Sequence, residues 1–306
     1  MKKVLFLLLG ACLCLLSSAQ TKWYEGYEAG LGGKLLPTEN PYHRIDTSKY
    51  AFVGHEKNLV MCSGGLTLHF KTNSRNVRLL PEFGFMYTGR TTNQLAVMGF
   101  DMYIRKGNDW LWAGAAVTRP GKEDQPVNIV SDMDGTEHEC LIYLPMYSEL
   151  RSLKVGLDEG ASMIPCEPDS KYSVVFHGSS FTMAVSASRS GMGYPMQFGR
   201  YTGLNVLGLG MSGNCKLQPA FAKALADAKW DALVLDTFSN PTVAQIKERL
   251  FPFIKTVQAA HPGKPLIFQR TIYRENRNFN RKVDAIEAER IQVADSLMAI
   301  ACKRYK

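Results

Sequence analysis

Two hydroxyl side chains stand where a buried strand should turn into a helix. The apolar run from Tyr172 to Phe176 is typical of a parallel strand, and Gly178, Ser179 and Ser180 come soon after it. A serine on a tight turn at the carboxyl end of such a strand can face a substrate, and nearby backbone N–H groups can face an oxyanion. We therefore identify Ser180 as a candidate nucleophile, with Gly178 giving the turn its room. An ordinary turn is the alternative.

The composition describes a globular chain. With 306 residues, 45% hydrophobic and 10% aromatic, it can form two domains with cores of their own. The net charge is +8, but the basic residues are scattered except between Arg274 and Lys282. A solvated loop and helix start explain that cluster better than a nucleic-acid surface does. We therefore expect no nucleic-acid partner.

The N-terminus has the three parts of a secretory signal peptide. Lys2 and Lys3 precede an apolar run from Val4 to Leu16, and small residues follow at 17–19. We predict a signal peptide over residues 1–19 and export to the periplasm or beyond. Lipoprotein anchoring at Cys12 is the less favoured alternative, because the residues after it stay apolar. No later stretch approaches the ~20 apolar residues that a membrane span needs.

The cysteines predict neither a disulfide framework nor a zinc site. Their number after the signal peptide is odd, their spacing is wide, and no Cys-x-x-Cys occurs. They are Cys62, Cys140, Cys166, Cys215 and Cys302. No motif calls for a metal or an organic cofactor, so none is predicted.

Residues 21–158 have the pattern of short strands. Leu66, Leu68 and Phe70 alternate with more polar neighbours, which predicts strands with one buried face. Turn residues separate the strands, and no helical period of useful length is present, so we predict an antiparallel β-sandwich. The acidic turn at 132–135 lacks the other ligands of a calcium loop, and a plain turn is favoured.

After a predicted linker at 159–170, the pattern changes. Residues 171–306 alternate strands with helices, and Thr242 with Gln245 fits a capping box. This order predicts a doubly wound, flavodoxin-like parallel sheet with its ligand site at the carboxyl ends of the strands. The predicted strands are 172–176, 204–207, 232–236 and 266–268.

A glycine motif offers a different function. Residues 208–213 read Gly-x-Gly-x-x-Gly after a strand, and Asp236 stands beyond at a distance suited to a ribose contact. The context is imperfect, because the motif follows the second strand of the unit and the helix starts only near Pro219. A dinucleotide site remains an alternative.

Three short blocks at the ends of successive strands resemble the SGNH (GDSL-type) hydrolases. In that family a serine is the nucleophile, and its own N–H, a glycine N–H and an asparagine side chain form the oxyanion hole. The resemblance implies these roles for Ser180, Gly213 and Asn240. The blocks are Gly178–Ser180, Ser212–Asn214 and Ser239–Asn240.

The N-terminal half resembles the same family. Gly99–Tyr103 is similar to the Gly-x-Asp-Leu-Tyr signature of a β-sandwich domain in two-domain bacterial members, with Met102 in place of leucine. Ala187–Pro195 resembles the segment that follows their serine. The resemblance implies an exported serine ester hydrolase, commonly a carbohydrate esterase or deacetylase. An acylated carbohydrate or another small ester is then the expected substrate.

One element of the family pattern is missing. The family takes its general base from an Asp-x-x-His block, and none follows Asn240 in this sequence. His261 should lie at the opposite edge of the sheet, and His177 sits on a strand that points it away from Ser180. We therefore expect a hydrolase domain incomplete at its C-terminus, with its base supplied by residues absent here. The alternative is a catalytically silent homologue that binds carbohydrate.

Overall fold

The computed structural model describes residues 20–87, 89–119 and 121–305. The predicted signal peptide and Cys12 lie outside the described residues. In the part of the chain that is described, no helix is long and apolar enough to span a membrane.

The N-terminal part is an antiparallel β-sandwich, as predicted. Its strands are β1 (Thr21–Glu25), β2 (Leu31–Gly32), β3 (Thr67–Thr72), β4 (Val77–Met86), β5 (Phe100–Lys106), β6 (Asp109–Ala116), β7 (Val127–Val130), β8 (His138–Tyr143), β9 (Ser148–Asp158) and β10 (Ile164–Pro165). One sheet has the order β1-β9-β4-β7. The other has the order β10-β3-β8-β5-β6, with β2 paired to β3.

The period-two pattern marks the sandwich core correctly. Leu66, Leu68 and Phe70 are fully buried between the sheets, as are Phe100 and Met102. Two short helices were not predicted, since elements of this length do not display a helical period. They are α1 (His55–Met61) and α2 (Gln94–Val97).

The C-terminal part is a four-stranded parallel sheet with helices, which confirms the predicted fold class. Its elements are β11 (Ser173–Gly178), α3 (Tyr194–Thr202), β12 (Asn205–Gly210), α4 (Pro219–Asp227), β13 (Ala232–Asp236), α5 (Val243–Ala260), β14 (Leu266–Phe268) and α6 (Arg281–Arg304). The strand order is β12-β11-β13-β14. All three pairings are parallel.

Local sequence signals set the helix boundaries. Gly203 ends α3 in the left-handed region, with φ +70°. Pro219 opens α4, where the missing N–H of proline costs no hydrogen bond. Thr242 and Gln245 form both bonds of the capping box at the start of α5. These ends fix where the loops of the sheet begin.

The two parts pack directly against each other. A Cβ atom on Gly208 of β12 would lie 3.1 Å from the Cα of Gly65 in the sandwich, so glycines allow this close approach. The predicted linker is also docked on the sandwich. Pro165 pairs with Phe70, and the Arg105 guanidinium lies 2.8 Å from the Asp169 carboxylate.

Candidate active site

The three predicted site residues lie at the carboxyl ends of the strands of the parallel sheet. Gly178, at the end of β11, pairs with Gly210 at the end of β12 and with Asp236 at the end of β13. Ser180, Gly213 and Asn240 follow these strand ends in the order of the chain. Parallel strands end on the same side, so the three residues occupy neighbouring loops.

The turn that carries Ser180 requires a glycine. A Cβ atom on Gly178 would lie 2.0 Å from the Thr182 Oγ1 and 2.8 Å from the Asp236 Cβ. The Val185 N–H donates to the Ser180 carbonyl at 2.9 Å, and the Met183 N–H donates to the Ser179 carbonyl at 3.1 Å. These bonds hold Ser180 on a tight turn, half-buried, while Ser179 beside it is fully buried.

The buried carboxylate of Asp236 organises this turn. It accepts hydrogen bonds from Ser179 N (3.0 Å), Ser179 Oγ (2.5 Å), Thr182 Oγ1 (3.1 Å) and Ser239 Oγ (3.1 Å). Asp236 thereby joins the serine turn to the loop that carries Asn240. Sequence reasoning considered Asp236 only as a ribose contact. The signal for its actual position is an acidic residue directly after the apolar run of β13.

A hydrogen bond accepted by its side-chain oxygen orients the Asn240 amide. The Cys215 N–H donates to the Asn240 Oδ1 at 3.2 Å, so the carbonyl end of the amide is fixed on the β12 loop. Within the described residues, the Asn240 Nδ2 has no hydrogen-bond partner, and neither have the backbone N–H groups of Ser180 and Gly213. Three donors on adjacent loops are therefore free to bind an acceptor.

An ion cluster around the buried Glu287 of α6 contacts the loop that carries Asn240. The Glu287 carboxylate lies 2.7 Å from guanidinium nitrogens of both Arg274 and Arg290. These arginines also donate to the Ser239 carbonyl at 3.2 and 3.4 Å. Arg274 thus differs from the rest of the basic cluster that the sequence suggested to be solvated, because its guanidinium is partly buried and pairs with Glu287.

The glycine motif does not form a dinucleotide loop. Gly208 and Gly210 belong to β12, and α4 begins only at Pro219, so α4 does not start directly after the motif as a dinucleotide-binding helix would. Gly210 is required by packing, since its Cβ would lie 2.3 Å from the Met183 N. Gly213 has φ +70°, which favours glycine. The glycines therefore serve strand packing and a turn.

The two histidines considered from the sequence lie away from the serine turn. The His177 Nδ1 donates to the Leu209 carbonyl at 3.0 Å, and its Nε2 lies 3.5 Å from the Cys215 Sγ. The His261 Nε2 contacts the Leu225 carbonyl, past the far end of α5. Neither ring contacts Ser180. In the described residues, no group of histidine, cysteine and carboxylate side chains is arranged to hold a metal ion.

Burial of His177 predicts a pH-dependent stability. Desolvation lowers the pKa of His177 to about 4, below the ~6.5 of an unfolded chain. Above pH 6.5 the ring is neutral in both states. As the pH falls from 6.5 towards 4, the unfolded chain takes up the proton first, and the free energy of unfolding therefore falls. We expect the free energy of unfolding to fall by about 3 kcal/mol over this range because of His177. Urea unfolding at pH 7, 5.5 and 4 should give a flatter pH dependence for His177→Asn than for the wild type. Equal slopes would contradict this account.

The sandwich holds the segment that follows the serine turn. Asp101, in the Gly99–Tyr103 stretch, is fully buried. It accepts from the Arg189 Nε at 3.1 Å, the Gly191 N–H at 2.9 Å and the Trp112 Nε1 at 2.9 Å. The aspartate at the centre of that stretch therefore ties the sandwich to the segment that follows the serine turn.

Two family models match the chain. Residues 21–163 match the GxDLY N-terminus of SGNH hydrolase-type esterases, and residues 171–305 match the GDSL-like lipase/acylhydrolase family. Comparison with curated proteins gives no significant match.

Solved structures with the same fold extend this result. The chain is 33% identical to a Bacteroides ovatus ATCC 8483 protein described as a GDSL-like lipase, with a TM-score of 0.89 over 94% of this chain and 85% of that one. The salicylyl-acyltransferase SsfX3 from a tetracycline biosynthetic pathway is 17% identical, with a TM-score of 0.67 over 91% and 82%.

A family two carbohydrate esterase from Cellvibrio japonicus is 11% identical, with a TM-score of 0.56 over 90% of this chain and 86% of that one. At such identities, the likeness to SsfX3 and to this esterase shows the fold and nothing further. The match to the Bacteroides ovatus protein and the two family models together decide the family: the chain belongs to the GDSL-like lipase/acylhydrolases, with a GxDLY-type N-terminal domain.

Proposed function

We propose that the chain is an exported serine ester hydrolase in which Ser180 is the nucleophile. The Ser180 and Gly213 N–H groups and the Asn240 amide stabilise the oxyanion. The observation that carries the proposal is the set of three donors that have no hydrogen-bond partner among the described residues, on loops that Asp236 and Cys215 tie together. Such preorganised donors are commonly the largest single contribution to acyl-transfer catalysis.

The reaction follows from this arrangement. The Ser180 Oγ attacks the ester carbonyl carbon as its proton passes to a water molecule, which later returns a proton to the departing alcohol oxygen, and the carbonyl oxygen becomes an oxyanion facing the three donors. Collapse of this intermediate breaks the bond to the alcohol and leaves an acyl group on Ser180. Water then attacks the acyl-enzyme through a second oxyanion, releases the acid and restores the serine.

An acylated carbohydrate is the proposed substrate class. Two of the structural neighbours are family two carbohydrate esterases, and the Clostridium thermocellum enzyme was solved with cellohexaose. The predicted signal peptide is consistent with a substrate outside the cytoplasm. Removal of acetyl groups from a polysaccharide fits both points.

A catalytically silent, carbohydrate-binding homologue is the second candidate. The favouring observation is that neither His177 nor His261 contacts Ser180. A serine without a general base is a poor nucleophile, since proton abstraction contributes about 10²- to 10⁴-fold.

Hydrolysis and covalent labelling distinguish the two candidates. We expect the purified chain to release acetate from p-nitrophenyl acetate and from acetylated xylo-oligosaccharides. A fluorophosphonate probe, which phosphonylates an activated serine with loss of fluoride, should map to Ser180 by peptide mass spectrometry. The exposed Ser188 offers a matched control, and Ser188→Ala should hydrolyse and label as the wild type does. Saccharide binding with neither hydrolysis nor labelling would favour the silent homologue.

A further inference from the structure

An arginine of the N-terminal domain is buried against the start of the loop that follows β12 and carries Gly213. Arg44 lies between β2 and α1, is 2% exposed, and is among the largest fully buried side chains of the protein. Arginine is almost never fully buried unless it is paired with an acid. Its location therefore calls for an explanation.

The contacts of Arg44 are carbonyl oxygens and a sulfur atom. Its Nη1 donates to the Gly210 carbonyl at 2.9 Å, and its Nη2 donates to the Leu59 carbonyl. The Met211 Sδ lies 3.9 Å from the same Nη2. Within the described residues, the Nε has no hydrogen-bond partner. The hydrogen bonds of Arg44 towards the C-terminal domain thus fall on the last residue of β12 and the first residue of the following loop.

Among the residues that the structure describes, no carboxylate forms an ion pair with Arg44. The ionisable neighbours that influence it are the Cys62 thiol and the Tyr147 hydroxyl, and both are neutral because burial raises their pKa values. Desolvation lowers the pKa of Arg44 to about 10, so the side chain remains a cation at neutral pH. Burying an unpaired cation is unfavourable. An apolar side chain could fill the same space without that cost.

The loop next to Arg44 is the one that presents Gly213. The Met211 N–H donates to the Gly178 carbonyl at 2.8 Å, and the Asn214 N–H donates to the Met211 carbonyl at 2.8 Å. The first of these bonds joins the loop after β12 to the serine turn. A guanidinium that binds the Gly210 carbonyl therefore also fixes the start of the loop that carries Gly213. A positive charge in this dry environment favours any negative charge that forms on the other side of the loop.

We propose that Arg44 is a positioning residue for the oxyanion site: it holds the Gly210–Asn214 loop in place, and its positive charge favours the oxyanion. The inference rests on the proposed function, since the oxyanion is the one formed when Ser180 attacks an ester. It also gives the N-terminal domain a part in holding the oxyanion site.

Two substitutions separate charge from hydrogen bonding. Arg44→Lys keeps the charge, whereas Arg44→Gln keeps a donor for the Gly210 carbonyl and removes the charge. With p-nitrophenyl acetate we expect Arg44→Gln to lower kcat about 10- to 100-fold with KM changed less than about 3-fold, because the lost interaction exists only with the oxyanion. Arg44→Lys should stay within about 5-fold of the wild-type kcat.

The control is Arg78→Met, at a sandwich arginine that pairs with Asp158 at 3.1 Å, and its kcat should equal that of the wild type. Equal kcat values for Arg44→Gln and the wild type would overturn the proposal. So would an equal fall of kcat in both Arg44 variants accompanied by an equal fall in Tm, which is the pattern of a purely structural residue.

Amide hydrogen exchange tests the positioning role without turnover. Exchange at the Met211 and Asn214 amides should be faster in Arg44→Met, which removes the donor to the Gly210 carbonyl, than in the wild type, with the remaining protected amides unchanged. Unchanged exchange at these two amides would overturn the positioning role. Absence of Ser180-dependent hydrolysis in the wild type would instead refute the proposed function, and the exchange measurement would still decide what Arg44 does to the loop.

Discussion

Replacement of Ser180 by alanine is expected to lower kcat for p-nitrophenyl acetate by about a thousand-fold or more, because no acyl-enzyme can form without the Oγ atom. The residual rate should come from the oxyanion donors, which the substitution leaves in place. The side chain is half-buried on its turn, and its backbone bond to Val185 is independent of the hydroxyl. We therefore expect the Tm to change little.

Ser179→Ala is the matched control for this prediction. The Ser179 Oγ is fully buried and donates to the Asp236 carboxylate at 2.5 Å. Its loss leaves that carboxylate with one bond fewer and should cost about 1–3 kcal/mol of unfolding free energy. Its kcat should fall less than that of Ser180→Ala. A larger loss of kcat in Ser179→Ala would mean that the nucleophile had been assigned to the wrong serine.

Patterns of short range predict most of the fold. The alternation at Leu66, Leu68 and Phe70 identifies the sandwich core, and the capping residues at Thr242 and Gln245 identify the start of α5, because each signal lies within a few residues. The end of β12 is different. Gly208 and Gly210 interrupt the apolar pattern, and only the close approach of Gly65 and Met183 explains why glycines continue that strand.

The location of the candidate site is predictable to a similar extent. Parallel strands end on one side, so residues that follow them must share an edge, and Ser180, Gly213 and Asn240 do so. The contacts that hold them are not readable in the same way. Asp236 bonds to side chains from two loops, and Arg44 comes from a different domain. Such contacts depend on packing between distant segments, for which a single sequence carries no local signal.

Asn240→Ala is the second substitution with a large expected effect. Removing one oxyanion donor should lower kcat about 10²- to 10³-fold and leave KM little changed, because the amide bonds more strongly to the oxyanion than to the ester carbonyl. Steady-state kinetics with p-nitrophenyl acetate measures both constants. The exposed Asn128→Ala in β7 is the control and should have the kinetics of the wild type.

Asn240→Asp sharpens this prediction. The carboxylate can still accept from the Cys215 N–H, which lies 3.2 Å from the Asn240 Oδ1, so the loop anchor is kept. The substitution nevertheless removes the donor and adds a negative charge where the oxyanion forms, and kcat should fall at least as far as in Asn240→Ala. Recovery of kcat in Asn240→Asp would mean that Asn240 only anchors the loop. A higher KM at unchanged kcat in Asn240→Ala would mean that the amide binds the ground-state ester rather than the oxyanion.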